Sequence, residues 1–250
     1  MKKTILLPLM SLYAGSLSAA TVNVSQDGAI NGQNDGGGYG NNNQVLNGGT
    51  ATHIATWMPG PPGAWQYTRK LFLGFDTSGI DLSAVSAASI TVNTGAGSAS
   101  QNEALGFNAY LVDDLAGGDQ FSETTLTWDL ATTNGWNQDG NAVDSQRTPG
   151  QFIGNVAWAG NDSLMTFNFS AAALTGLQGD TNSFATIVLV PDAPTGGSYL
   201  GNDAFASTGP RFLSKESGNG AVLDLTVVPE PSSTALVSIG LIGGLLLRRR

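Results

Sequence analysis

The 250 residues include one histidine and no cysteine, so the catalytic arrangements open to the chain are few. A Ser–His–Asp relay would have to use His53, in a Gly/Thr-rich stretch before Trp57, and no Gly-x-Ser-x-Gly elbow accompanies it. A thiol nucleophile is excluded by composition. Glycoside chemistry needs two carboxylates across a cleft, and the nineteen Asp and Glu show no spacing that singles out two of them. His53 reads as a solvated loop residue and the chain as non-enzymatic, with no cofactor required.

Binding chemistry is better represented. Trp57, Trp65 and Tyr67 cluster around a Pro-Gly-Pro-Pro-Gly run that stiffens their loop, and Trp136 stands in a second polar stretch. Exposed aromatic faces stack on sugar rings while Asn, Asp and Arg bond the hydroxyls, so these four are the candidate glycan-binding residues. The competing reading folds each of them over a sandwich end as a cap on the core; Trp128 and Trp158 are assigned to the core or its edge. Asp27, Asp35, Asp113, Asp114 and Asp119 lie among carbonyl-rich glycines, a donor set suited to Ca²⁺. Asp113 and Asp114, just after an apolar stretch, form the best local calcium candidate; a solvated acid pair is the alternative. No EF-hand frame is present. Five basic residues stand against all nineteen acids in residues 21–230, which argues against nucleic acid as a partner.

The two ends carry addresses. Lys2 and Lys3, the apolar residues 5–13 and the small residues Ser18-Ala19-Ala20 follow the order of a secretory signal peptide, with cleavage expected after Ala20. At the other end Pro229-Glu230-Pro231 precedes the uncharged residues 232–247 and then Arg248-Arg249-Arg250. Sixteen helical residues rise about 24 Å, slightly short of a roughly 30 Å hydrocarbon core, a deficit that thinning and snorkelling arginines cover. Terminal arginines favour a cytoplasmic end, which places the rest of the chain outside. This three-part tail resembles the PEP-CTERM sorting signal. The resemblance implies an exosortase as partner, a membrane helix before processing, and a Gram-negative, exopolysaccharide-producing cell. The competing reading is a plain membrane anchor.

Between the ends, thirty-four glycines with many Asn, Ser and Thr punctuate short apolar stretches, the pattern of an all-β domain. Strands are predicted at 21–24, 44–46, 69–75, 88–93, 107–112, 152–158, 164–169, 184–190 and 222–228. Alternation puts Leu71, Leu73 and Phe75 on one face, and Met165, Phe167 and Phe169 on one face. Ser170 caps one short predicted helix at 171–177 that Gly179 ends. Residues 26–50, 51–66 and 113–150 read as long loops. The expectation is one jelly-roll-like β-sandwich over residues 21–228, preceded by a signal peptide (1–20) and followed by a sorting signal (229–250). No disulfide holds it together.

The order of these pieces resembles the DNRLRE domain. The phrases that carry it are Asn34 to Asn41, Arg69-Lys70-Leu71-Phe72-Leu73-Gly74-Phe75-Asp76 with Ser78-Gly79-Ile80, Val85 to Ile90, Ser122 to Trp128, and Ser214-Lys215-Glu216 before the last strand. The resemblance implies a β-sandwich of bacterial surface proteins associated with carbohydrate recognition. The expected function is an exported matrix or surface protein that engages exopolysaccharide in a biofilm. A structural surface protein making protein–protein contacts is the alternative, and a polysaccharide-active enzyme is a distant third.

Overall fold

The structure, a computed structural model, describes residues 17–31, 53–55, 69–95, 106–114, 118–136, 150–192 and 211–228. Eleven strands occur among them: β1 (Ser18–Asn23), β2 (Gln26–Asn31), β3 (His53–Ala55), β4 (Arg69–Asp76), β5 (Val85–Asn93), β6 (Gly106–Val112), β7 (Gly150–Ala157), β8 (Leu164–Asn168), β9 (Phe184–Asp192), β10 (Arg211–Leu213) and β11 (Val222–Val227). They form a four-stranded sheet in the order β1-β11-β5-β8, a five-stranded sheet in the order β2-β4-β9-β6-β7, and a small β10-β3 pair. Every pair is antiparallel.

Period-2 alternation explains how the sheets pack. Leu71, Leu73 and Phe75 of β4, Ile187 and Leu189 of β9, and Phe107 and Leu111 of β6 face one cluster. The same cluster takes Ile90 and Val92 of β5, Met165 and Phe167 of β8, and Leu223 and Leu225 of β11. This is the sandwich interior, where each fully buried large side chain contributes about 1.5–3 kcal/mol. Trp158 packs on its edge, its ring 6.0 Å from that of Phe107 and 5.9 Å from that of Phe212.

The opposite face of the five-stranded sheet is also buried. Ile30, Phe72, Tyr110, Phe184, Val188 and Val190 form a second cluster with Phe121, Leu126, Ala131 and Trp136. The cover is residues 118–136, which lie within the long loop expected at 113–150. It contains a helix, α1 (Trp128–Thr133), whose N-cap Thr127 accepts a hydrogen bond from the N–H of Leu130 at 3.1 Å. Among the described residues there are thus two α-helices rather than one. The second, α2 (Ala171–Gln178), is the expected helix: Ser170 Oγ accepts from Ala173 N–H, and Gly179 ends it. A further difference concerns residues 26–31, read as the start of a loop. They form β2, whose Ala29 and Ile30 are buried on opposite faces, so a Gly-rich composition hid a short edge strand. The strand expected at 44–46 lies outside the described residues.

Candidate functional site

One row of paired residues crosses all five strands of the larger sheet: Asp27 of β2, Leu73 of β4, Ile187 of β9, Leu111 of β6 and Gln151 of β7. It marks one end of the sandwich. Carboxylates gather there because strand ends β2, β6 and β9 open at that edge and the covering segment 118–127 crosses it.

Asp27, Glu123 and Glu216 each bring a carboxylate oxygen within 4.8 Å of the others. Asp27 is 3 % exposed; its Oδ2 accepts the backbone N–H of Lys215 at 2.6 Å, and its own N–H donates to Glu123 Oε2 at 3.3 Å. The Lys215 ammonium lies 2.5 Å from Glu123 Oε1 and 3.3 Å from Glu216 Oε1. Lys215 and Glu216 come from a 3₁₀ turn, Lys215–Ser217, that Gly218 closes at φ 76°. Burial pushes the Asp27 carboxyl up to about 6, partly opposed by the Lys215 N–H and reinforced by Glu216 and Glu123. Burial works against the Lys215 ammonium, but its hydrogen bonds to the two glutamates outweigh that and raise its pKa. These acids have the geometry of a cation site, and the cation standing among them is the chain's own lysine.

A second set lies at the start of β9. Asp119, 2 % exposed, accepts Thr186 N–H at 2.6 Å and Asn182 Nδ2 at 2.9 Å, while its carbonyl accepts Thr186 Oγ1 at 2.7 Å. Burial pushes its carboxyl up to about 6, against the pull of those two donors. Asp180 accepts the N–H groups of Asn182 and Ser183, fixing the turn in which Ser183 takes φ 61°. Burial raises its pKa as well.

Asp113 and Asp114, the calcium candidates, border an open cleft of about 520 Å³ between α2 and the ends of β6 and β7. Asp113 Oδ1 accepts from Gln151 Nε2 at 3.3 Å. Asp114 Oδ2 accepts both the N–H and the hydroxyl of Thr181. Asp114, exposed, ties the loop after α2 to the end of β6, and Asp113 bonds across to β7. The three-acid cluster, by contrast, falls at Asp27, Glu123 and Glu216. Of these only Asp27 was among the candidate acids, because the other two reach it from more than ninety residues away.

The aromatic candidates divide. Trp57, Trp65 and Tyr67 lie outside the described residues. Trp136 is described, and it is not an exposed sugar platform: it is 2 % exposed inside the second cluster, and its Nε1 donates to the Gly118 carbonyl at 3.0 Å. An indole buries most of its apolar surface when its one N–H finds a partner. Trp128 is half-buried, with Lys70 Nζ 5.3 Å from its ring centroid. The backbone of His53 pairs with Leu213. The sorting residues Pro229, Glu230, Pro231, Arg248, Arg249 and Arg250 lie outside the described residues. Among those described, no helix is long and apolar enough to cross a membrane.

Residues 227–250 match the PEP-CTERM protein-sorting motif. No curated protein matches the chain. The motif implies export and surface-directed sorting in a Gram-negative bacterium, with an exosortase as processing partner.

Proposed function

We propose that this is an exported, non-enzymatic surface or matrix protein that an exosortase sorts and whose β-sandwich associates with exopolysaccharide. The observation that carries the reading is the sorting motif at residues 227–250. Support for the polysaccharide comes from the order of phrases resembling the DNRLRE domain and from the Trp57, Trp65 and Tyr67 cluster. The non-enzymatic reading rests on the single histidine and the missing cysteine. It draws further support from the acid cluster, where Glu123 and Glu216 are held by an ammonium rather than poised across an open cleft.

One observation favours a second reading, a structural surface protein without glycan affinity. Among the described residues the exposed large hydrophobics are Leu17, Phe152, Leu164 and Val228, with no tryptophan face among them. Affinity electrophoresis of the exported protein in gels containing the producing cell's exopolysaccharide separates the two. Retardation that Trp57→Ala with Trp65→Ala abolishes supports glycan binding. Free migration, with or without chelator, leaves the structural reading.

A further inference from the structure

Thr21 and Asp224, 203 residues apart in sequence, face each other across β1 and β11, and Thr21 Oγ1 donates to Asp224 Oδ1 at 2.9 Å. On the outer side of that pair the register runs Ala20 to Leu225, Ala19 to Thr226 and Ser18 to Val227. The residues that read as the end of a signal peptide are therefore strand-paired with the residues that lead into the sorting motif. β1 is the edge of its sheet, and β11 is bonded on its other side to β5. That second pairing extends to Val228, whose N–H donates to the Ala84 carbonyl at 2.9 Å.

We propose that in a chain starting at Thr21 the Leu225–Val227 edge of β11 is a docking edge, which the sorting protease pairs with as an added strand when it engages the adjoining motif. The inference rests on the export reading above. Cleavage takes Ser18, Ala19 and Ala20 from β1 and leaves Thr21, Val22 and Asn23, with the Thr21–Asp224 hydrogen bond at the new boundary. The new α-ammonium forms at the residue paired with Asp224, which favours retention of the shortened strand. Beyond it, the backbone of 225–227 loses its partner on one side while β5 stays paired on the other, with a register shift between Thr226 and Val227. A fixed edge with free N–H and C=O groups is a template for an extended polypeptide. Ala20 also packs on the sandwich core, so its loss uncovers apolar surface beside Val227, which packs on the same core. The occupant follows from position: Pro229 stands two residues beyond this edge, and the motif it opens implies a processing enzyme.

The test uses the full chain in its producing cell. Leu17→Ala with Ala19→Val and Ala20→Val gives signal peptidase small residues at positions 15 and 17 and removes those at 19 and 20. The exported chain then keeps residues 18–20 on β1. N-terminal sequencing confirms each start, and pulse-chase follows C-terminal processing. The expected result is processing several-fold slower in the chain that keeps those residues. Equal rates with verified N-termini overturn the proposal. A parent chain that does not start at Thr21 overturns the leader reading, and the inference with it. The cysteine-free background allows one more check: unsorted Thr226→Cys chains that form a disulfide dimer would show a second copy on the edge and also overturn it.

Discussion

Lys215 Nζ lies 2.5 Å from Glu123 Oε1, an ion pair that joins the segment covering the larger sheet to the turn before the last strand, 92 residues later. Glu123 uses its other oxygen on the Asp27 backbone, so the pair closes the end of β2 as well. Lys215→Met would leave three carboxylates facing one another with no cation. Because the lysine is one-quarter exposed, the expected loss is about 1–3 kcal/mol rather than the larger cost of a fully buried pair. Urea denaturation at pH 7 measures it, and the deficit should shrink at pH 5, where Asp27 is largely protonated.

Trp136 serves as a core residue, so its substitutions should act on stability alone. Trp136→Ala is expected to cost about 3–5 kcal/mol through the cavity it leaves. Trp136→Phe keeps most of the volume but leaves the Gly118 carbonyl without its donor, costing about 1–2 kcal/mol. Denaturation midpoints check both. In affinity gels the Phe variant should migrate as the parent does; lost retardation would restore this residue to a binding role.

Gly74 marks a close approach in the middle of a strand. A Cβ there would stand 2.5 Å from Phe184 Cζ and 3.1 Å from Phe121 Cε1, two buried rings packed edge to face 6.3 Å apart. The rings close the second cluster over the strand, so they have little room to retreat. Gly74→Ala is expected to cost about 1–3 kcal/mol by overpacking. Thermal melting measures the loss, and a matching gain on adding Phe184→Leu to the Gly74→Ala variant would assign it to that contact.

Period-2 alternation made β4 and β8 readable, and Ser170 with Gly179 made α2 readable, because those signals are local. The second cluster was not readable. Its cover, 118–136, is polar in composition and buries only a few residues, among them Phe121, Leu126, Ala131 and Trp136, at no fixed period. The acid cluster was hidden for another reason: Asp27, Glu123 and Lys215 meet only through the sheet. Glu123 comes from the covering stretch, and Lys215 and Glu216 from the turn before β11. Together they hold the sandwich end closed.

The two carboxyls raised to about 6, Asp27 and Asp119, give the stability of the protein a pH dependence of definite sign. Both start from 3.8, so between about pH 4 and 6 the folded state holds protons that the unfolded chain has released. Stability then falls as pH rises, since the slope follows protons bound by the unfolded minus the folded state. The contribution is present at low pH and is lost as pH rises through about 6. Moving from pH 7.5 to pH 5 should add about 1.4 kcal/mol per group, or about 3 kcal/mol for both. For a domain of this size that is a rise in Tm of about 5–10 °C. Asp180, raised by burial, acts in the same direction. Asp76 is lowered by its Ser78 hydrogen bonds and acts below this window. Replacing Asp27 and Asp119 by Asn removes both titrating groups while keeping an acceptor for the Lys215 and Thr186 N–H groups. Calorimetry of the double variant should then show most of the gain between pH 7.5 and pH 5 abolished. A parent protein whose Tm falls over that range would mean that these carboxyls stay ionised in the fold.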